Sequence, residues 1–257
     1  MNIWVTGDTH GDIGRFSSNI FHEQKDMSKE NDFVIILGDF GLLWDYTGES
    51  SREKYWLDWL ENKPFTTLFI PGNHENYDRL DELPTEEWHG GKVSFVRPSV
   101  IYLHRGQVFD INGKKIFAFG GASSHDISDG ILDPEDPDFK AKRRELDLNP
   151  FSLYRINHWS WWERELPSEE EMAEGIENLK KHNNKVDFIF THSPYTYILK
   201  FMDGGAGLYN SDILTDYLQQ IKETVDYKAW LFGHMHVCQS FNWDKAHCLY
   251  EQIIQIA

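Results

Sequence analysis

The apolar positions of this chain gather in short runs that stop abruptly at polar residues. Ile3-Trp4-Val5-Thr6 halts at Gly7, and its branched and aromatic residues favour a β-strand. Phe33-Val34-Ile35-Ile36-Leu37 is apolar without alternation, as in a strand covered on both faces. Leu68-Phe69-Ile70, residues 186–190 and residues 229–232 repeat the pattern. Between these runs the spacing becomes helical. Ile13, Phe16 and Ile20 recur at such intervals behind Asp12, a candidate cap, and Tyr55, Trp56, Trp59 and Leu60 share one side of a helix over 53–60. Glu169-Glu170-Glu171 behind Ser168 reads as a capped, acidic first turn, and Ser211 as the cap of a helix through 221. The opening alternation of strand and helix predicts an α/β layered fold with a largely parallel first sheet.

The middle changes character. Residues 99–103, 107–111 and 115–119 read as short strands, with Asn112-Gly113 a hairpin turn between the last two. They are expected as antiparallel additions or a second sheet. Over 120–167 the periodicity fades, which predicts a long irregular insertion. It holds an acidic stretch (133–138), a basic knot expected to be solvated (Lys140, Lys142, Arg143, Arg144), and Trp159, Trp161 and Trp162. The tryptophans are expected to pack the insertion against the body rather than stack a base. His125, behind the Gly120-Gly121 turn, reads as an ordinary loop histidine. Two closing strands are expected over 237–241 and 248–256, with Cys238 and Cys248 as free, buried thiols. No Gly/Ser or Pro-rich linker interrupts the chain, so 1–257 is read as a single domain.

Charge narrows the partners. Against 25 Lys and Arg stand 42 Asp and Glu, a net −17 at pH 7. That field repels long polyanions and makes long nucleic acid an unfavourable partner, while small phosphate esters remain open because bound divalent metals reverse the sign locally. The sequence opens on a strand rather than a basic-then-apolar leader, and no apolar run approaches the roughly 20 residues that span a bilayer. A soluble, cytoplasmic protein without a membrane partner is the expectation; the pattern specifies no oligomeric state.

The candidate chemistry lies where the strands stop. Five apolar runs end in Gly7-Asp8-Thr9-His10, Gly38-Asp39, Gly72-Asn73-His74-Glu75, Thr191-His192-Ser193-Pro194 and Gly233-His234-Met235-His236. Ligands of layered α/β proteins gather at the carboxyl ends of strands. Residues two apart in extended chain share a side, so Asp8 with His10, and His234 with His236, converge. The mixture of carboxylate, imidazole and amide oxygen suits first-row divalent ions such as Mn, Fe, Zn or Ni rather than Ca. Asp8, His10, Asp39, Asn73, His192, His234 and His236 are too many ligands for one ion and about right for two that share a carboxylate. Glu75 reads as the start of a helix.

In this order the motifs resemble the calcineurin-like metallophosphoesterase family, and the match stretches from Asp8 to His236. The resemblance implies a four-layer α/β sandwich, with two mixed β-sheets flanked by helices. It implies that Asp8, His10 and His236 hold one metal, that Asn73, His192 and His234 hold the other, and that Asp39 bridges them. His74 corresponds to the family's non-ligand histidine, which protonates the leaving oxygen or steadies charge on the transferring phosphoryl group. The activity implied is hydrolysis of a phosphomonoester or phosphodiester, a small or nucleotide-like one being favoured, by in-line attack of a water that two divalent ions share; Mn is the expected metal. A nuclease acting on nucleic-acid ends and a non-catalytic scaffold are the alternatives. The motif continues as Phe40-Gly41-Leu42, where many relatives carry a phosphate-gripping Arg. That departure weighs against a phosphoprotein phosphatase, and Arg155 is the candidate substitute clamp.

Overall fold

The computed structural model describes residues 2–257. The chain first lays down β1 (Asn2–Thr6), β2 (Asp32–Leu37), α1 (Ser51–Glu61), β3 (Thr66–Ile70) and α2 (Tyr77–Asp81). Six strands follow: β4 (Glu86–Trp88), β5 (Gly91–Arg97), β6 (Val100–Leu103), β7 (Gln107–Ile111), β8 (Lys114–Phe119) and β9 (Ile131–Leu132). Then come α3 (Phe139–Asp147), β10 (Arg155–Ile156), α4 (Glu169–Lys181), β11 (Phe188–Thr191), α5 (Thr196–Asp203) and α6 (Ile213–Thr224). The chain closes with β12 (Ala229–Phe232), β13 (Gln239–Phe241), β14 (Ala246–Cys248) and β15 (Ile253–Gln255). One sheet has the order β15-β1-β2-β3-β6-β5-β4 and the other β13-β14-β12-β11-β8-β7. Each has a parallel centre and antiparallel edges, so both are mixed.

Alternation along the strands builds the layers. Phe33, Ile35 and Leu37 of β2 join Phe188 and Phe190 of β11 and Leu231 of β12 in the core between the sheets. The intervening Val34 and Ile36 face outward onto Leu57 and Leu60 of α1. On the far side Ile189, Trp230 and Phe232 meet Leu179 of α4, Ile198 of α5 and Leu214, Leu218 and Ile221 of α6. The layers therefore run helix, sheet, sheet, helix, the expected sandwich. Among the described residues, no helix is long and apolar enough to cross a membrane.

Several local expectations are corrected. The strand β6 is antiparallel to β5 but parallel to β3 inside the first sheet, and β8 is parallel to β11; the β7–β8 hairpin is antiparallel and lies in the second sheet as expected, with Asn112 and Gly113 at φ 54° and 72°. The β4–β5 hairpin went unread because β4, largely Glu86-Glu87, lies exposed at an edge. The first expected helix is only a 3-10 turn over Gly14–Phe16, where Asp12 accepts from the Gly14 amide. The inward face of α1 is Leu57 and Leu60, while Tyr55 is exposed. Ser168 does cap α4, with Glu171 closing a capping box, but Asp212 rather than Ser211 caps α6. The insertion is not irregular throughout: it holds β9, α3 and β10. Its helix escaped detection because Phe139 is its one buried side chain and its basic residues lie in solvent. Of the tryptophans, Trp162 is core and donates to Asp78, while Trp159 stacks on Tyr46. Cys238 and Cys248 are free, but only Cys248 is buried, facing Gln239 across the closing hairpin, while Cys238 is exposed. The expected last strand splits: β14 stays in the second sheet and β15 pairs with β1.

Candidate metal centre

Eight strands form the parallel centres, and the carboxyl ends of five of them deliver the polar residues. Asp8 and His10 follow β1, Asp39 follows β2, Asn73 and His74 follow β3, His192 follows β11, and His234 and His236 follow β12. Ligand atoms of Asp8, His10, Asp39 and His236 all lie within 4.8 Å of one another. The His10 Nε2 is 2.9 Å from His236 Nε2 and 3.6 Å from the Asp39 carboxylate, and His236 Nε2 is 3.1 Å from Asp8 Oδ2. His192 joins through Asp39, its Nε2 3.3 Å from Oδ1 but outside hydrogen-bond geometry. The His234 amide donates to Asp8 Oδ1 at 2.9 Å, and its ring centroid lies 5.0 Å from that of His192. The Asn73 side chain reaches Ser124 Oγ through Nδ2 at 3.4 Å.

The local backbone is shaped for this convergence. His10, Asp39, His234 and His236 adopt φ of 46°, 47°, 66° and 51°. Left-handed backbone at a non-glycine residue costs of order 1–3 kcal/mol and collects where surroundings over-determine it, as at functional sites. Gly72 has no room for a side chain: a Cβ there would stand 2.6 Å from His192 Nε2 and closer still to Asp39 Oδ1. Glu75 does not begin a helix, since Asn76 caps α2. Its buried carboxylate accepts from the Gly41 amide at 3.0 Å and from the Gly72 amide, tying the Asp39 loop to the Asn73 loop. Burial, with Asp39 nearby, pushes this carboxyl up to about 7.

Electrostatics follow from burial and from who faces whom. Burial alone would raise the Asp39 carboxyl, but His192, then His74 and His10, hold it well below the carboxylate range. Burial likewise disfavours charge on His192, yet Asp39 and Asp8 raise it to about 10. Burial drives His234 well below its usual value, and His192 and His125 add to the effect. His10 is lowered by burial against the pull of Asp39 and Asp8, while His236 is raised by its hydrogen bond to Asp8.

The donor set fits divalent cations. The buried Asn73 Oδ1 and His192 Nε2 have no hydrogen-bond partner, and leaving such an atom unpaired costs about 1–3 kcal/mol. Two fully buried carboxylates stand together, which needs positive charge between them. Imidazole nitrogens aimed at one another 2.9 Å apart suit cis ligands of one ion.

His74 lies at the rim. Its ring is 4.8 Å from His10 and 5.2 Å from Trp44, and its amide donates to Asp39 Oδ1 at 2.8 Å. Burial, helped by Arg155 and opposed by Asp39, lowers it to about 4, so it is neutral at pH 7. Arg155 is brought to the site but faces protein: it donates to the Asn73 carbonyl (2.9 Å), His74 Nε2 (3.0 Å), the Ser160 carbonyl (3.1 Å) and Asp126 (2.7 Å). Because a guanidinium only donates, His74 Nε2 accepts and the ring proton sits on Nδ1. Sequence reasoning missed His125, whose Nε2 lies 2.8 Å from His234 Nε2. The signal was available: β8 is a further parallel strand, and its Gly120-Gly121 end leads to Ser124 and His125 as the ends of β1, β2, β3, β11 and β12 lead to the candidate ligands.

A sandwich of two mixed sheets whose strand ends gather carboxylates and imidazoles defines a metal-binding α/β protein. The chain belongs to the calcineurin-like phosphoesterase family, whose profile matches residues 1–238. It is similar to the lariat debranching enzyme of Schizosaccharomyces pombe, 30% identical over 135 residues, which cover 48% of this chain and 26% of that protein. The lariat debranching enzyme of Drosophila melanogaster is 24% identical over 259 residues, 92% of this chain and 43% of that protein. The chain thus spans less than half the length of these two relatives. Among solved structures, phosphopantetheinyl hydrolase from Mycobacterium tuberculosis aligns with a TM-score of 0.46 at 16% identity, covering 97% of this chain and 88% of that one.

Proposed function

We propose that this chain is a cytoplasmic, dinuclear-metal phosphohydrolase whose substrate is a small or nucleotide-like phosphodiester. One observation carries the reading: the Asp8, His10, Asp39 and His236 ligand atoms share a 4.8 Å cluster, His192 Nε2 lies 3.3 Å from Asp39, and Asn73 Oδ1 is buried without a hydrogen-bond partner. Asp8, His10 and His236 would hold one ion, Asn73, His192 and His234 the second, and Asp39 both; Mn is the favoured metal, with Fe, Zn or Ni fitting the same donors. Divalent ions bound there supply Lewis-acid charge to the phosphoryl oxygens and a water activated for in-line attack. Asp39 is held as a carboxylate by its imidazole neighbours and so stays available for that role. His74 acts as a neutral imidazole, its Nδ1–H steadying charge on the leaving oxygen. Arg155 holds His74 in that orientation rather than gripping substrate, since its donors serve the protein. With no free guanidinium fork in that place, a singly charged diester is favoured over a doubly charged monoester.

A second reading, a nuclease, is favoured by the relatives named as lariat debranching enzymes. The net −17 supports a short substrate over a long polyanion. The test is turnover of bis(p-nitrophenyl) phosphate beside p-nitrophenyl phosphate with added Mn. The diester is expected to be the better substrate, with loss of turnover in Asp39→Asn. Undiminished turnover in that variant would remove Asp39 from its bridging role.

A further inference from the structure

A cavity of about 350 Å³ opens beside Trp44, bounded by Gly41, Tyr46, Arg52 and Trp159, with Asp45 and Glu53 also in its wall. Its size lies at the small end of the ligand-site range of about 300–1,000 Å³. Three features set it apart. It touches the site on two sides, since the Trp44 ring lies 5.2 Å from the His74 ring and Gly41 packs on the His10 backbone. Its wall is aromatic and flat: Tyr46 stacks on Trp159 with centroids 4.6 Å apart and planes 15° apart, yet half of Tyr46 remains exposed. It also borders an uncommitted cation. Arg52 makes one long hydrogen bond, 3.5 Å to the Gly11 carbonyl, and has no carboxylate in ion-pair distance among the described residues. A larger cavity of about 580 Å³ lies against Ser124 and Trp161, but Trp44 does not border it.

We propose that this cavity receives the leaving group of the ester, and that this group is a nucleotide, its base stacked on Tyr46 and its own phosphate held by Arg52. The inference rests on the phosphodiesterase reading above, and it names what that reading leaves open. The occupant follows from position and chemistry. Whatever fills the space lies against Trp44, whose ring packs on the histidine assigned to the departing oxygen, so the departing alcohol is the part of the ester that reaches it. A planar ring recovers more contact on a stacked aromatic wall than an aliphatic chain does. Of the carboxylates in the wall, Glu53 accepts from Arg79 and from the Trp44 and Asp45 amides and Asp45 accepts from Thr47, which leaves the Arg52 guanidinium to select an anion, and phosphate matches its fork.

The test separates this subsite from the reaction. Chelator-treated protein is titrated calorimetrically with adenosine and with adenosine monophosphate, so no metal contributes. Wild type is expected to bind the monophosphate severalfold more tightly than the nucleoside. Tyr46→Ala should weaken both by about tenfold, the scale of one lost base–aromatic stack, while Tyr46→Phe restores them. Arg52→Ala should erase the preference for the monophosphate and leave adenosine unchanged. Tyr55→Ala, on the exposed face of α1, should match wild type. Equal affinity of wild type for both ligands, or binding untouched by Tyr46→Ala, overturns the proposal. If the ligands bind as expected but bis(p-nitrophenyl) phosphate is not hydrolysed, the phosphodiesterase reading fails and the subsite stands; hydrolysis without discrimination between the ligands defeats the subsite alone.

Discussion

Gly72→Ala adds one methyl group at the crowded centre of the site. The new Cβ would stand 2.5 Å from the Asp39 amide nitrogen and 2.6 Å from His192 Nε2, where real Cβ contacts under 3.0 Å are essentially never seen. The Asp39 and His192 loops must therefore open by about half an ångström, more at the Asp39 carboxylate, in an interior too dense to absorb it. Overpacking of this kind costs about 1–3 kcal/mol. For a chain of this size that corresponds to a fall in Tm of about 2–12 °C. The functional loss should be larger than the stability loss, because metal–ligand distances tolerate only about 0.2 Å. Thermal denaturation, metal analysis and diesterase turnover should show a folded protein that retains less than half the wild-type metal and negligible activity. Gly113→Ala is the control: at φ +72° with nothing within 4 Å, it is strained in the backbone and not crowded. It should lose about 1 kcal/mol and no metal. A Gly72→Ala protein with full metal and wild-type turnover would refute the proposed convergence on Asp39.

Two further variants probe the rim. Arg155→Lys keeps the charge and loses the bond to His74 Nε2; a positioning role predicts that kcat falls roughly 10–100-fold with KM nearly unchanged, whereas a substrate clamp would raise KM. Burial raises the Glu165 carboxyl to about 8, despite its bond from Ser124 and the nearby Arg155. The folded state therefore holds this proton after the unfolded chain has released it near 4.5. Stability is lost as pH rises through that window, by an amount on the order of a few kcal/mol. Glu165→Gln cannot ionise, so its Tm should gain on wild type between pH 5 and pH 8; parallel profiles would contradict this.

The sequence carried the site better than the middle of the fold. The candidate ligand positions were legible because the strands that carry them are bare apolar runs, so an Asp, Asn or His at the end stands out. What turns these residues inward was not legible. The left-handed backbone of His10, Asp39, His234 and His236 and the staple from Glu75 to Gly41 belong to loops whose partners are distant in sequence. His125 was passed over because β8 reads as half of a hairpin, and its parallel pairing with β11 is a tertiary fact. Arg155 was found by residue type, but its commitment to Asn73 and His74 emerged only with the insertion folded. The insertion helix α3 left almost no apolar period, since it is stabilised at one buried Phe139 and by surface ion pairs such as Lys142–Asp136.

The central claim, that distant strand ends grip a pair of cations around Asp39, is tested most directly by anomalous diffraction from crystals grown with Mn. The account predicts two peaks about 3.5–4 Å apart, both bonded to Asp39, one also to Asp8, His10 and His236 and the other to Asn73, His192 and His234. A single peak, or metal bound away from Asp39, would contradict it.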